Sequence, residues 1–158
     1  MGSFIAISLI SALVISINSL ITYEILREVW KVLPKMRVSP RLRVILIIIP
    51  IFAIHMASIW IYAIVYFLVS NFTSIGKFTL AGKVVGIGYQ GFVECLYFAG
   101  ATYTSLSLGS ISPTDNLRML ACAEVLNGLV MLGWTISFTY LTMEKFWTLP
   151  HRHHKSGE

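Results

Sequence analysis

Thr102-Tyr103-Thr104-Ser105-Leu106-Ser107-Leu108-Gly109-Ser110-Ile111-Ser112-Pro113 is a short polar stretch, rich in serine and threonine, with one glycine. It follows an apolar, helix-like run over residues 92–102 and precedes a long apolar run over 117–142. Irregular backbone at membrane depth is tolerated only where it is buried in protein or lines a cavity. A run too short to cross, a polar loop and a run long enough to cross therefore read together as a re-entrant loop. Taken as a helix, residues 92–104 would cover only ~20 Å, which reaches mid-membrane and does not cross it.

Outward from this loop, the chain has the composition of a membrane protein. Of its 158 residues 56% are hydrophobic and 12% charged, and the mean hydropathy is +0.78. A soluble domain carries about 25% charged residues. Residues 1–23, 44–76 and 125–143 contain no charged side chain. Runs of ~20 apolar residues cross a ~30 Å hydrocarbon core, so three spans are expected, over 4–23, 44–69 and 117–142. The first lacks the basic start and small-residue cleavage site of a signal peptide. The expected fold is an all-α membrane protein with three transmembrane helices, a re-entrant helix and a loop.

The net charge of +5 has a location. Arg27, Lys31, Lys35, Arg37, Arg41 and Arg43 lie between spans one and two, and Lys145, Arg152 and Lys155 follow span three. Lysine and arginine mark the cytoplasmic side. The N-terminus and residues 70–116 are thus expected outside, and the connector and tail inside. Topology accounts for the charge, so a lipid bilayer and no nucleic acid is the expected surrounding.

Several residues carry two readings. Ser8, Ser11, Ser16, Ser19 and Asn18 in span one either bond across to another helix or, for the serines, back to their own. Residues 24–43 form a basic connector broken by Pro34 and Pro40. Its Leu26, Val29, Trp30 and Leu33 recur at helical spacing and suggest a short interfacial helix. Arg37, Arg41 and Arg43 lack the every-third spacing of a voltage sensor. In span two, Pro50 suggests a kink, and Tyr62 and Tyr66 fall where an aromatic belt is expected. Residues 71–91 are glycine-rich and read as an external linker. Cys95 and Cys122 have no metal-ligand spacing and are expected as free thiols. His151, His153 and His154 in the tail could bind a transition metal, but a solvated basic tail is the plainer reading, and no metal site is expected. No nucleophile stands with a base and an orienter, so no enzyme is expected.

The stretch from Leu96 to Pro113 resembles the pore module of potassium channels, whose pattern is a pore helix, a T-V-G-Y-G-D filter, a proline-containing loop and a glycine-containing inner helix. Leu96-Tyr97-Phe98 matches the pore helix, Thr104, Ser105, Leu106, Ser107, Leu108, Gly109 and Ser110 sit at the filter, and Ile111-Ser112-Pro113 follows without a gap. Leu117-Arg118-Met119-Leu120 opens the inner helix, and Glu124 to Leu129 with Gly133-Trp134 look like a small bacterial subgroup of such channels. The resemblance covers about 44–142. It divides the chain into a first helix (1–25), a cytoplasmic connector (26–43), a pore domain (44–142) and a cytoplasmic tail (143–158). It implies a homotetramer in a bacterial plasma membrane that passes monovalent cations, K+ or Na+, with no cofactor.

The departures from the pattern bear on selectivity. Ser107 replaces the first filter glycine, Leu108 the tyrosine and Ser110 the aspartate. Filter carbonyls that replace an ion's hydration shell need partly left-handed backbone, which costs a non-glycine residue roughly 1–2 kcal/mol. Losing the aspartate removes one negative charge per subunit from the mouth. Potassium selectivity is therefore expected to be weak. Gly128 falls at the family's hinge position, with Gly133 five residues on; either bends the helix or permits close packing. Glu124 lies about 10 Å down its helix by helical rise, level with Tyr62. It is expected as filter support with Tyr103, either protonated or bonded to Tyr103, Thr102 or Tyr62, with a proton-sensing gate as the alternative. His55 sits about 21 Å from the outer end of its span, so a His55–Glu124 pair is not expected. Two other functions stay open. One is a non-conducting scaffold with a decayed loop. The other is a proton-coupled transporter subunit using His55 and Glu124, although no repeat is evident.

Overall fold

The computed structural model describes residues 2–35, 39–80, 83–84, 86–106 and 111–147. Four helices dominate: α1 (Gly2–Val32), α2 (Pro40–Phe72), α3 (Tyr89–Tyr103) and α4 (Leu117–Trp147). A single 3-10 turn, Leu33–Lys35, ends α1. Three short strands, β1 (Phe78–Leu80), β2 (Lys83–Val84) and β3 (Ile111–Pro113), form one antiparallel sheet in the order β2-β1-β3. α1, α2 and α4 are long and apolar enough to cross a membrane, and the chain is an integral membrane protein.

α1 buries Ile7, Ser11, Val14, Asn18, Thr22 and Leu26, a stripe at steps of three and four that faces α4 and α2. Its other face presents Leu9, Leu13 and Leu20, side chains suited to lipid. Ser8, Ser11, Ser16 and Ser19 each donate to the carbonyl four residues back, at 2.8–2.9 Å. The serines thus satisfy themselves within the helix, and Asn18 and Thr22 bring uncommitted polar side chains to the interface. The separate interfacial helix expected over 24–43 is not formed, because α1 continues to Val32 and Leu26 prolongs its buried stripe. Exposed pairs one turn apart, Arg27–Glu24 at 2.6 Å and Lys31–Glu28 at 2.8 Å, line this last part. α2 starts at Pro40, favoured in a first helical turn, and runs unbroken through Pro50.

α1 and α4 run parallel. Near one end of the bundle the Trp30 ring meets Phe138 edge-on at 5.9 Å, and Lys145 Nζ stands 4.3 Å over the same indole. The basic end of α1 and the foot of α4 therefore share one end of the molecule. At the other end the sheet closes over the helices. Phe78 of β1 packs edge-on against Tyr66 at 5.3 Å and Phe98 at 4.9 Å, pinning the sheet to α2 and α3. Pairing of Thr79 with Ser112 and of Leu80 with Ile111 draws the segment after the loop back to that cluster. These strands were not expected in a glycine-rich linker; at two or three residues each they carry no periodicity to read.

The aromatic belt is corrected. Tyr62 and Tyr66 are 0% exposed, whereas Trp60 is 46% exposed. Spacing of four puts the two tyrosines on one side of α2, and that side turns inward, against α3 and α4.

Candidate functional site

α3 is the element that could not cross a membrane, 15 residues long or about 22 Å. Gly91, Cys95 and Ala99 recur every four residues on its buried side, followed by Tyr103. Small side chains there let the helix sink between α2 and α4. It ends in a helix-terminating motif read directly from its bonds: Leu106 N donates to Ala101 O at 2.7 Å and Ser105 N to Thr102 O at 3.0 Å. Ser105 takes the left-handed conformation (φ 60°) that such an end requires, at a cost of roughly 1–2 kcal/mol for a non-glycine residue. Thr104 caps with its hydroxyl, which donates to Gly100 O at 2.8 Å. Thr104, Ser105 and Leu106 are exposed. Ser107, Leu108, Gly109 and Ser110, on which the expected weak selectivity turns, lie outside the described residues, as do His151, His153 and His154.

Tyr103 locks the end of α3 to both neighbours. Its backbone packs on Gly128 of α4, where an added Cβ would meet the Tyr103 carbonyl oxygen and come within 3.1 Å of the carbonyl carbon. Close packing therefore accounts for Gly128. Gly133 is different: a Cβ there meets nothing within 4 Å. On the other side the Tyr103 hydroxyl lies 3.0 Å from His55 Nδ1, and His55 Nε2 lies 3.1 Å from Thr135 Oγ1. Thr135 already donates to Met131 O at 3.0 Å, so it accepts from Nε2–H, and Nδ1 shares a hydrogen bond with the Tyr103 hydroxyl. His55 is thus bonded at both ring nitrogens and ties α2, α3 and α4 together. Beneath it an apolar cavity of about 600 Å³ opens between α2 and α4, with Phe52, His55, Tyr103, Thr104, Thr135 and Ile136 on its walls.

Glu124 is fully buried and accepts a hydrogen bond from the Tyr66 hydroxyl at 2.5 Å. The expected partners were Tyr103, Thr102 or Tyr62; the bond instead goes to the tyrosine one turn from Tyr62. His55 and Glu124 have separate partners and form no pair, as their depths implied. Tyr66 and Thr135 were missed as partners. The signal for Tyr66 was its place four residues from Tyr62 on the same side of α2; helix depth alone pointed to Tyr62, and the bond is made one turn away.

Residues 77–145 match the family model described as Ion channel. No curated protein and no solved structure matches the chain. The match starts at the sheet and runs through α3 and the loop to the foot of α4, so it covers the elements just assembled and leaves α1 and α2 outside it. A helix too short to cross, a polar turn at its end and a helix long enough to span behind it are the parts that residues 77–145 share with that family model, and in them this membrane protein resembles the pore module of potassium channels.

Proposed function

We propose that the chain is one subunit of a homotetrameric cation channel that passes monovalent cations and discriminates weakly between potassium and sodium. The observation that carries this is the end of α3: a helix too short to cross a membrane, with its C-terminus and the exposed residues Thr104–Leu106 at one place. A helix C-terminus carries about half a negative charge, and several converging on one axis favour a cation there. One chain supplies one such helix and one α4, too few to enclose a path. The exposed apolar face of α4, with Leu126, Leu129, Val130 and Ile136, suits contacts between subunits or with the path. Weak selectivity follows from Ser107 and Ser110 at positions where the resemblance has glycine and aspartate.

The test is reconstitution of the purified chain in liposomes with a potassium gradient, alongside imaging of the same particles. The expected result is a fourfold particle with α4 innermost and a cation flux carried by both potassium and sodium. A monomeric particle overturns the reading. A fourfold particle with no flux for any monovalent cation favours the non-conducting scaffold.

A further inference from the structure

Where α1, α2 and α4 meet, the bundle buries a polar cluster that neither the loop nor the resemblance to channels uses. Each helix contributes two residues about one turn apart: Asn18 and Thr22 from α1, Tyr62 and Tyr66 from α2, Glu124 and Asn127 from α4. The Tyr62 hydroxyl comes close to the side chains of Asn18, Asn127 and Glu124 without making a hydrogen bond of ordinary geometry to any of them. The Tyr62 and Tyr66 rings are 6.4 Å apart. One bond closes part of the cluster, from the Tyr66 hydroxyl to Glu124 Oε2. Six atoms have no protein partner among the described residues: Asn18 Oδ1 and Nδ2, Thr22 Oγ1, the Tyr62 hydroxyl, Glu124 Oε1 and Asn127 Nδ2.

Unpaired polar groups at membrane depth are expensive, because lipid offers nothing to bond to. Nor can a second subunit reach these. Asn18 is 1% exposed, Thr22, Tyr62 and Glu124 are 0% and Asn127 is 4%, so whatever satisfies them sits inside this chain's own bundle. The chemistry of the six chooses the occupant. Two amide nitrogens can only donate, Asn18 Oδ1 accepts, Glu124 Oε1 accepts or, when protonated, donates, and the two hydroxyls do both. A cation would satisfy the oxygens and face the amide protons. A species that both donates and accepts fits the whole set, and buried water typically makes about three such bonds to otherwise unsatisfied groups.

We propose that the α1–α2–α4 junction is an internal water site whose bound water joins α1 to the inner helix of the pore module. Water bridging Asn18 to Tyr62, Asn127 and Glu124 fixes α1 at mid-height, while Trp30 fixes it on Phe138 at the basic end. The proposal stands whether or not the pore conducts.

Millisecond X-ray radiolysis of the full chain in lipid nanodiscs, read by mass spectrometry, tests it. Hydroxyl radicals formed from bound water oxidise aromatic rings that bulk solvent cannot reach. Phe78, equally buried at 1% within an aromatic cluster, is the dry control. The expected result is oxidation of Tyr62 at least tenfold faster than Phe78, with a marked fall for Tyr62 in the double variant Asn18→Leu, Asn127→Leu. Rapid mixing into oxygen-18 water before the pulse gives a readout that needs no variant: label should enter Tyr62 more slowly than exposed Tyr140, as expected for held water. Equal rates at Tyr62 and Phe78 overturn the proposal, since the side chains then close on one another. Protection of Tyr62 on adding sodium also overturns it, in favour of a cation.

Discussion

Gly128→Ala and Gly133→Ala place the same methyl group on the same helix, five residues apart, and the structure assigns them opposite signs. At Gly128 the added Cβ overlaps the Tyr103 carbonyl and stands 3.1 Å from its carbon and 3.4 Å from its Cα. All three atoms are backbone, so no rotamer change relieves the contact and α3 must move off α4 by roughly an ångström in a close-packed interior. Overpacking costs about 1–3 kcal/mol, and a backbone obstacle belongs at the upper end. Replacing glycine by alanine inside a helix returns up to about 1 kcal/mol. The net is about 2 kcal/mol destabilising, or a fall of roughly 4–8 °C in Tm on the scale for a chain of this size. At Gly133 the methyl meets nothing within 4 Å, only the helix gain applies, and Tm should rise by roughly 2–4 °C. Tryptophan fluorescence during heating of each variant in the same detergent measures both. If the two variants shift the same way within about 2 °C, the close approach of α3 to α4 at Tyr103 is wrong.

Removing the hydroxyl in Tyr66→Phe strips Glu124 of its one protein bond and should cost about 1–3 kcal/mol; denaturation that leaves stability unchanged would show that the bond is not made. His55→Phe removes the imidazole that bridges Tyr103 and Thr135 and should destabilise by a similar ~1–3 kcal/mol, read in the same melt. A cysteine at Ser3 should react with an impermeant thiol reagent from outside and one at Ser39 from inside only, both positions being exposed and Ser39 lying in the basic connector; reversed labelling inverts the topology. The double change Ser107→Gly, Ser110→Asp should raise the potassium preference of the reversal potential in mixed ions, since it returns glycine freedom and one charge per subunit. Strong potassium selectivity in the unmodified protein would refute that reasoning.

The polar residues of this bundle divide by how they meet the demand that nothing polar stay unpaired in lipid. Ser8, Ser16 and Ser19, like Ser58, bond to their own helix, which leaves the neighbours free to slide. His55 bonds across helices and fixes the end of α3 where the loop begins. Asn18, Tyr62, Glu124 and Asn127 do neither fully, and they gather at one level. The first class commits nothing to a neighbouring helix, the second ties α3 to α2 and α4, and the third lies where α1 faces α2 and α4.

What was readable in the sequence was what depends on length and composition. Uncharged runs of twenty residues can only cross, and a run of about fifteen followed by a polar loop can only dip and return, because solvation by lipid is a property of the segment and not of its neighbours. The spans and the helix too short to cross followed from that, as did the separation of His55 from Glu124, which rests on rise per residue alone, whereas the resemblance to a pore module rests on the residues from Leu96 to Pro113. What needed the tertiary structure was direction. α2 and α4 are apolar on every side, so their periodicity does not say which face is buried. Tyr62 and Tyr66 therefore looked like belt residues until the packing of α3 turned them inward. The choice of Tyr66 over Tyr62 for Glu124, the nesting of Gly128 on Tyr103 and the meeting of Asn18 with Asn127 around Tyr62 all depend on the rotation and crossing of whole helices. Those are set by the sum of many small packing contacts across the bundle, and no local stretch of sequence contains them.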